Sequence, residues 1–131
     1  MYKIKKVIIV KRLELAEEFL KEAKKSFKEY IETVNEEKLR QSCEKSWGAV
    51  AQSLMELADR PITKHRDFAL VAKEYARIYN KEDIRHGEAC GEALHAAGFY
   101  HDALTPEAVE DHINCVNKLF DIVKEIKSDH K

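Results

Sequence analysis

The chain has 131 residues, 36% of them charged, and a formal net charge of −1. A chain of this length can bury a hydrophobic core, so we take residues 1–131 as one helical domain with residues 1–10 as an N-terminal arm. The near-zero net charge excludes nucleic-acid binding by bulk electrostatics but allows a local basic patch. Lys and Glu supply most of the charge and Gln is scarce, a skew that favours a thermophilic source.

The cysteines and the apolar segments bear on the compartment. Cys43, Cys90 and Cys115 are an odd number without a close pair, which predicts reduced thiols packed as small apolar residues. No stretch approaches the length of a membrane span, and the apolar run at residues 7–10 is too short for a signal peptide. The sequence therefore predicts a cytoplasmic protein without membrane contact.

Helical periodicity dominates the chain, and strand alternation is confined to residues 2–10. From Leu13 to Val34 apolar residues recur every three or four positions, which predicts a long first helix. Thr33 followed by Glu36 fits a capping box and predicts the start of a second helix. The apolar stripe of that helix runs over residues 39–57, and the Asp-Arg-Pro sequence at 59–61 ends it.

Three further helices are predicted. Thr63 is placed to cap a third helix with apolar positions between 68 and 79, and Asn80 to cap a fourth that ends near Gly98. Thr105, followed by a proline and a glutamate, predicts the start of a fifth helix. Short connections favour antiparallel neighbours, so we expect an all-α antiparallel bundle of about five helices.

Two histidines near the end of the predicted fourth helix are candidates for chemistry. His95 and His101 lie at a helix boundary, where imidazoles can act as general acid and base near neutral pH. Residues 92–112 contain no Arg or Lys, however, and phosphate binding normally needs one. The alternative is that His95 is a half-buried helix residue and His101 a surface turn residue.

A metal site is a separate hypothesis. Glu92 and His95 form the Glu-x-x-His spacing of di-iron bundles, but the second copy of that motif is missing. His86 and Cys90 stand four residues apart, and two ligands do not make a site. We therefore predict no cofactor, and keep a metal bound by these four residues only as a third hypothesis.

Three other features are candidates for binding. Trp47 lies in an apolar helix stripe, which is typical of a core residue. The adjacent Gly48 destabilises a helix by about 1 kcal/mol relative to Ala, so its presence indicates the close approach of another helix. Arg85 belongs to the densest basic spot near the histidines. Arg60 and His65 match an Arg-x4-His pattern in the predicted turn between helices two and three, and such a short pattern is common by chance.

Two stretches resemble the archaeal paREP-type proteins. Residues 42–58, SCEKSWGAVAQSLMELA, resemble their second helix. Residues 92–95 (EALH), 98–100 (GFY) and 104–107 (LTPE), followed by Val109, resemble their last two helices. These proteins are in turn similar to the HEPN domain, an antiparallel and often dimeric helical bundle. Many HEPN members are metal-independent ribonucleases or toxins paired with a small nucleotidyltransferase antitoxin.

The resemblance implies roles for single residues. The HEPN catalytic pattern is an Arg followed, a few residues later, by a His; His101 falls at the His position, but His95 stands where the Arg would be. We therefore expect an HEPN-like interaction module that acts as a homodimer and lacks robust catalysis. It would bind a nucleotide, RNA or a nucleotidyltransferase-type protein in a cleft lined by Trp47, Gly48, Tyr100 and Arg85. The alternative is a divergent metal-independent ribonuclease that uses His101 as base and His95 as acid.

Overall fold

The computed structural model describes residues 11–129, and within them five α-helices confirm the predicted all-α bundle. In chain order they are α1 (Arg12–Thr33), α2 (Glu36–Ala58), α3 (His65–Tyr79), α4 (Glu82–Ala93) and α5 (Pro106–Asp129). A π-helical segment, Leu94–Tyr100, continues from α4. The predicted N-terminal arm lies outside the described residues. None of the described helices combines the length and the apolar character that crossing a bilayer would require.

Helix α2 is central to the fold, because it contacts every other helix and the π-helical segment. Its buried apolar residues recur every three to four positions, as its sequence predicts. Its small buried residues also include Ser42 and Ser46, whose hydroxyls donate to the carbonyls of Leu39 (2.6 Å) and Ser42 (2.8 Å). These bonds to the helix's own backbone allow buried hydroxyls where neighbouring helices come close.

The start of α2 differs from the prediction. Thr33 is the last residue of α1, and its hydroxyl donates to the carbonyl of Glu29 at 2.7 Å. Asn35 instead caps α2, because its side-chain oxygen accepts the Glu37 N–H at 3.0 Å. The capping box at Thr33 was therefore wrong by two residues, and the reason is that an Asn side chain can cap from this position equally well.

Of the other three predicted caps, one is confirmed and two are wrong. Thr105 caps α5 as predicted, accepting the Ala108 N–H at 3.1 Å. The residue before α3 is Lys64, which makes no side-chain cap bond, so the prediction of Thr63 as its cap was wrong. Asn80 was also wrongly predicted to start α4. It ends α3 in the left-handed conformation (φ 53°), which Asn tolerates better than most residues.

The end of the predicted fourth helix is π-helical, which the sequence did not indicate. The N–H of His101 donates to the carbonyl of Ala96 at 3.1 Å, five residues back. Gly98 lies against α2, where a Cβ would be 2.7 Å from the Sγ of Cys43. From α2, Arg40 donates through Nε to the carbonyl of Phe99 at 3.2 Å. These contacts hold the wider turns of the segment against the bundle.

Candidate functional site: a cluster of imidazole and aromatic rings

Four rings from three elements meet at one place on the surface, and we call them the ring cluster: Trp47 of α2, His65 of α3, and His95 and Tyr100 of the π-helical segment. The ring centroids of Trp47 and His65 are 4.9 Å apart. His95 stacks on both Trp47 and His65 at 5.2 Å. Phe68 packs its edge against Trp47 at 5.2 Å and joins the cluster to the core.

The π-helical segment places Tyr100 in the cluster. The rings of His95 and Tyr100 are 5.0 Å apart and meet edge to face. Residues five positions apart in an α-helix are separated by about 140° around the axis. The wider π turn, with hydrogen bonds between residues i and i+5, brings such residues nearly into line. Tyr100 is 63% exposed, so it forms the solvent edge of the cluster.

Each imidazole of the cluster is paired with a carboxylate. Nε2 of His65 lies 2.5 Å from Oε1 of Glu92, and Nδ1 of His95 lies 3.0 Å from Oε1 of Glu44. A carboxylate partner orients an imidazole and determines which ring nitrogen carries the proton. Nδ1 of His65 and Nε2 of His95 lie outside these two pairs, on side chains that are 50% and 20% exposed.

A buried acid stands behind one of these pairs. Glu88 is only 5% exposed and lies one helical turn before Glu92 on α4. Burial first, and then the neighbouring carboxyl of Glu92, raise the pKa of Glu88 from 4.5 to about 8. Glu88 is therefore mostly a neutral acid at pH 7 and can donate to Glu92, which in turn pairs with His65.

A glycine sets the distance between α4 and the indole of Trp47. A Cβ at Gly91 would lie 2.6 Å from Cγ2 of Val50 and 3.2 Å from Cε3 of Trp47. A larger residue would therefore require Val50, Trp47 or α4 itself to shift. Because Glu88 and Glu92 flank Gly91 on α4, this close approach also positions the carboxylates of the site.

The structure brings together only some of the residues that the sequence singled out. His95, Trp47 and Tyr100 lie in the ring cluster, whereas His101 is exposed just beyond Tyr100. Gly48 faces α1: a Cβ there would be 3.0 Å from the ring of Phe19, which is the close helix approach expected from the sequence.

Arg85 lies elsewhere. It borders a groove of about 720 Å³ between α3 and α4, and its guanidinium is 3.8 Å from the carboxylate of Glu82. The predicted cleft residues Gly48 and Arg85 are thus separate from the ring cluster.

His65 is the member of the site that sequence reasoning missed. It was considered only with Arg60, as part of a short pattern in a turn. In the structure His65 is the first residue of α3 and is the imidazole that stacks on His95. No local signal relates His65 to His95 or to Glu92, because folding alone brings these helices together.

A second cluster of chemistry-bearing side chains lies between α4 and α5. Nε2 of His86 is 3.8 Å from Sγ of Cys90 and 3.4 Å from Sγ of Cys115. The third hypothesis grouped His86 and Cys90 with Glu92 and His95, but those two residues are paired in the ring cluster. Both cysteines are free thiols, and burial raises the pKa of Cys90 to about 12.

The fold and site define a class of protein, a small all-α bundle with carboxylate-paired imidazoles at its surface. The chain belongs to the archaeal PaREP1/PaREP8 family, whose model matches residues 11–120. This match confirms the resemblance to archaeal paREP-type proteins. No curated protein and no solved structure matches the chain. The relation to the HEPN domain stays a prediction.

Proposed function

We propose that this chain is an HEPN-like binding module, without robust catalysis, that takes a nucleotide by its base at the ring cluster. The observation that carries the proposal is the continuous set of rings from Trp47 to the exposed Tyr100. Aromatic side chains bind bases by stacking, and this contact tolerates any base because each base has a π-face. The imidazole nitrogens outside the carboxylate pairs supply hydrogen bonds to the edge of the base.

The charges around the cluster favour recognition of the base over recognition of the phosphates. Glu44 and Glu92 lie directly against the imidazoles, so a phosphate there meets negative charge. The guanidinium of Arg40, on the neighbouring Phe99, is already paired with Glu37 at 3.0 Å. A cluster of this charge supports binding of a nucleoside or a nucleoside monophosphate more than binding of a polyphosphate.

Trp47 provides the readout for a direct test, because it is the chain's single tryptophan. Titration with AMP should change its fluorescence and saturate. Tyr100→Ala should weaken this binding about 10-fold or more, since base stacking on one aromatic ring is worth roughly 1–3 kcal/mol. Tyr100→Phe keeps the ring and should bind like the wild type. Saturable binding that is equal in the Ala and Phe variants would contradict the proposal, and so would no binding at all.

A divergent metal-independent ribonuclease is the second candidate. It is supported by the contact between His65 and His95, because two carboxylate-paired imidazoles are the groups that acid and base roles require. His101 is the residue that the sequence analysis assigns as the base. RNA cleavage in excess EDTA by the wild type and by single Ala variants of these three histidines tests it. Cleavage lost in one or more variants would support a nuclease; equal cleavage by all four proteins indicates contamination.

The homodimer is part of the same proposal, as is a nucleotidyltransferase-type partner protein. Ile31 and Val34, at the end of α1, are 59% and 68% exposed and offer apolar surface for such contacts. Sedimentation equilibrium should give twice the mass of one chain, and Ile31→Lys should shift the equilibrium toward the monomer. An equilibrium mass of one chain at all concentrations would contradict the dimer.

A further inference from the structure

We propose that His86, Cys90 and Cys115 form a binding site for one zinc-class ion, with Nε2 and the two Sγ atoms as ligands. The three ligand atoms all lie within 4.8 Å of one another. They come from two helices, α4 and α5, and lie apart from the ring cluster. The inference therefore does not depend on the proposed function.

The distances suit a tetrahedral ion. Zinc binds sulfur at about 2.3 Å and imidazole nitrogen at about 2.0–2.1 Å, which places neighbouring ligand atoms roughly 3.5–3.8 Å apart. Nε2 of His86 lies 3.8 Å from Sγ of Cys90 and 3.4 Å from Sγ of Cys115. Both distances are within a few tenths of an ångström of this range. The two Sγ atoms lie within 4.8 Å of each other, so they need to approach by at most about 1 Å to share an ion.

The sequence builds this arrangement from two local features. His86 and Cys90 are four residues apart on α4, so both side chains lie on the same face of the helix. Between them, Gly87 lets α5 come close: a Cβ there would be 2.5 Å from Cβ of Leu119 and 3.3 Å from the carbonyl oxygen of Cys115. The glycine that brings the two helices together therefore also brings Cys115 to the other two ligands.

The ligand set indicates which ions bind and how. Thiolates and imidazole select zinc-class ions over magnesium and calcium, which prefer oxygen ligands. Binding one ion releases two thiol protons to solvent and leaves His86 neutral. With three protein ligands, the fourth tetrahedral position falls to a water molecule, and the exposed His86 opens the site to solvent. The ion cross-links α4 to α5.

Cobalt provides a spectroscopic test. Full-length protein, stripped with a chelator and kept reduced by a phosphine, is titrated with Co²⁺. We expect one equivalent to bind, with thiolate-to-cobalt charge-transfer absorption and the intense d–d bands of a four-coordinate ion, both abolished by one equivalent of Zn²⁺. Zn²⁺ should also raise the Tm by about 5 °C or more, because it binds the folded state.

Variants separate this site from adventitious binding to thiols. Cys115→Ser should lower the Co²⁺ affinity at least about 100-fold. His86→Ala, at an exposed position that should not disturb folding, should do the same. Cys43→Ala is the matched control, because it removes one thiol, as Cys115→Ser does, but leaves all three proposed ligands in place. It should bind Co²⁺ like the wild type. No charge-transfer band in the reduced, folded wild type would overturn the proposal, as would equal losses in the Cys43 and Cys115 variants.

Discussion

His65 and His95 stack with their ring centroids 5.2 Å apart and their planes inclined by 27°, although they belong to different elements of the bundle. Each ring is held by its own carboxylate, Glu92 for His65 and Glu44 for His95. The two carboxylates thus orient both imidazoles of the ring cluster. Three substitutions test the interactions that support it, and a fourth prediction tests the helix caps of the bundle.

Glu88→Gln should alter the pH dependence of stability. The pKa of Glu88 is raised from 4.5 in the unfolded chain to about 8 in the folded protein, so the folded state keeps a proton that the unfolded state releases. This contribution is complete below about pH 4.5 and is lost as the pH rises through about 8. The Tm of Glu88→Gln should therefore fall less than that of the wild type between these pH values. The exposed Glu125→Gln is the control and should follow the wild type.

Gly91→Ala should destabilise the protein by about 1–3 kcal/mol, because the new Cβ overlaps Val50 and Trp47. Urea unfolding followed by Trp47 fluorescence gives both the stability and a shift in the native emission. Gly48→Ala is the matched comparison. Both variants gain about 1 kcal/mol in helix propensity. Gly48→Ala should still cost less, since its Cβ meets only the ring of Phe19, at 3.0 Å. The same loss in both variants would argue against a special role for Gly91.

Arg40→Ala should loosen the end of the π-helical segment. The substitution removes the hydrogen bond to the carbonyl of Phe99 and the guanidinium over the Phe99 ring, at 4.9 Å from its centroid. Amide hydrogen exchange at His101 and Ala103, whose N–H groups close the segment, should become faster. Arg40→Lys retains the charge but not the Nε–H, and should show an intermediate effect. Unchanged exchange in the Ala variant would mean that the packing of Gly98 against α2 holds the segment in place without Arg40.

Thr105→Ala and Thr63→Ala form a pair that the sequence alone does not distinguish. Thr105 accepts the Ala108 N–H at the start of α5, so its loss should cost about 1 kcal/mol. Thr63 lies before Lys64, and α3 begins without a side-chain cap, so its loss should cost close to nothing. The free energy of unfolding in urea measures both, and equal effects would contradict the cap assignment.

The sequence predicted the bundle because helical periodicity is a local property. The stripe of α2 and the cap at Thr105 depend on residues within a turn or two of each other, and both are confirmed. The caps at Thr33 and Asn80 were wrong because several polar residues near a helix end compete for the same backbone groups.

The site was predicted in part, since it depends on distant contacts. Trp47, Tyr100 and His95 were chosen for their residue types. The partners of His95 are distant in sequence, because Glu44 lies on α2 and His65 on α3. Likewise, His86 and Cys90 follow from helix spacing, whereas Cys115 follows only from the packing of α4 on α5. The first two ligands can therefore be predicted from the sequence of one helix, whereas the third can be identified only from the folded structure.

The π-helical segment has a consequence for insertions and deletions. A π turn holds one residue more than the α turn it replaces, so removing one residue between Leu94 and Tyr100 would restore a regular α-helix. The tyrosine would then stand four positions after His95, about 40° away around the axis of an α-helix. A family member shorter by one residue here would therefore keep its tyrosine on the same side of the helix as the histidine. The wider turn thus accommodates one extra residue without removing the tyrosine from the ring cluster, so relatives of either length would have the same surface.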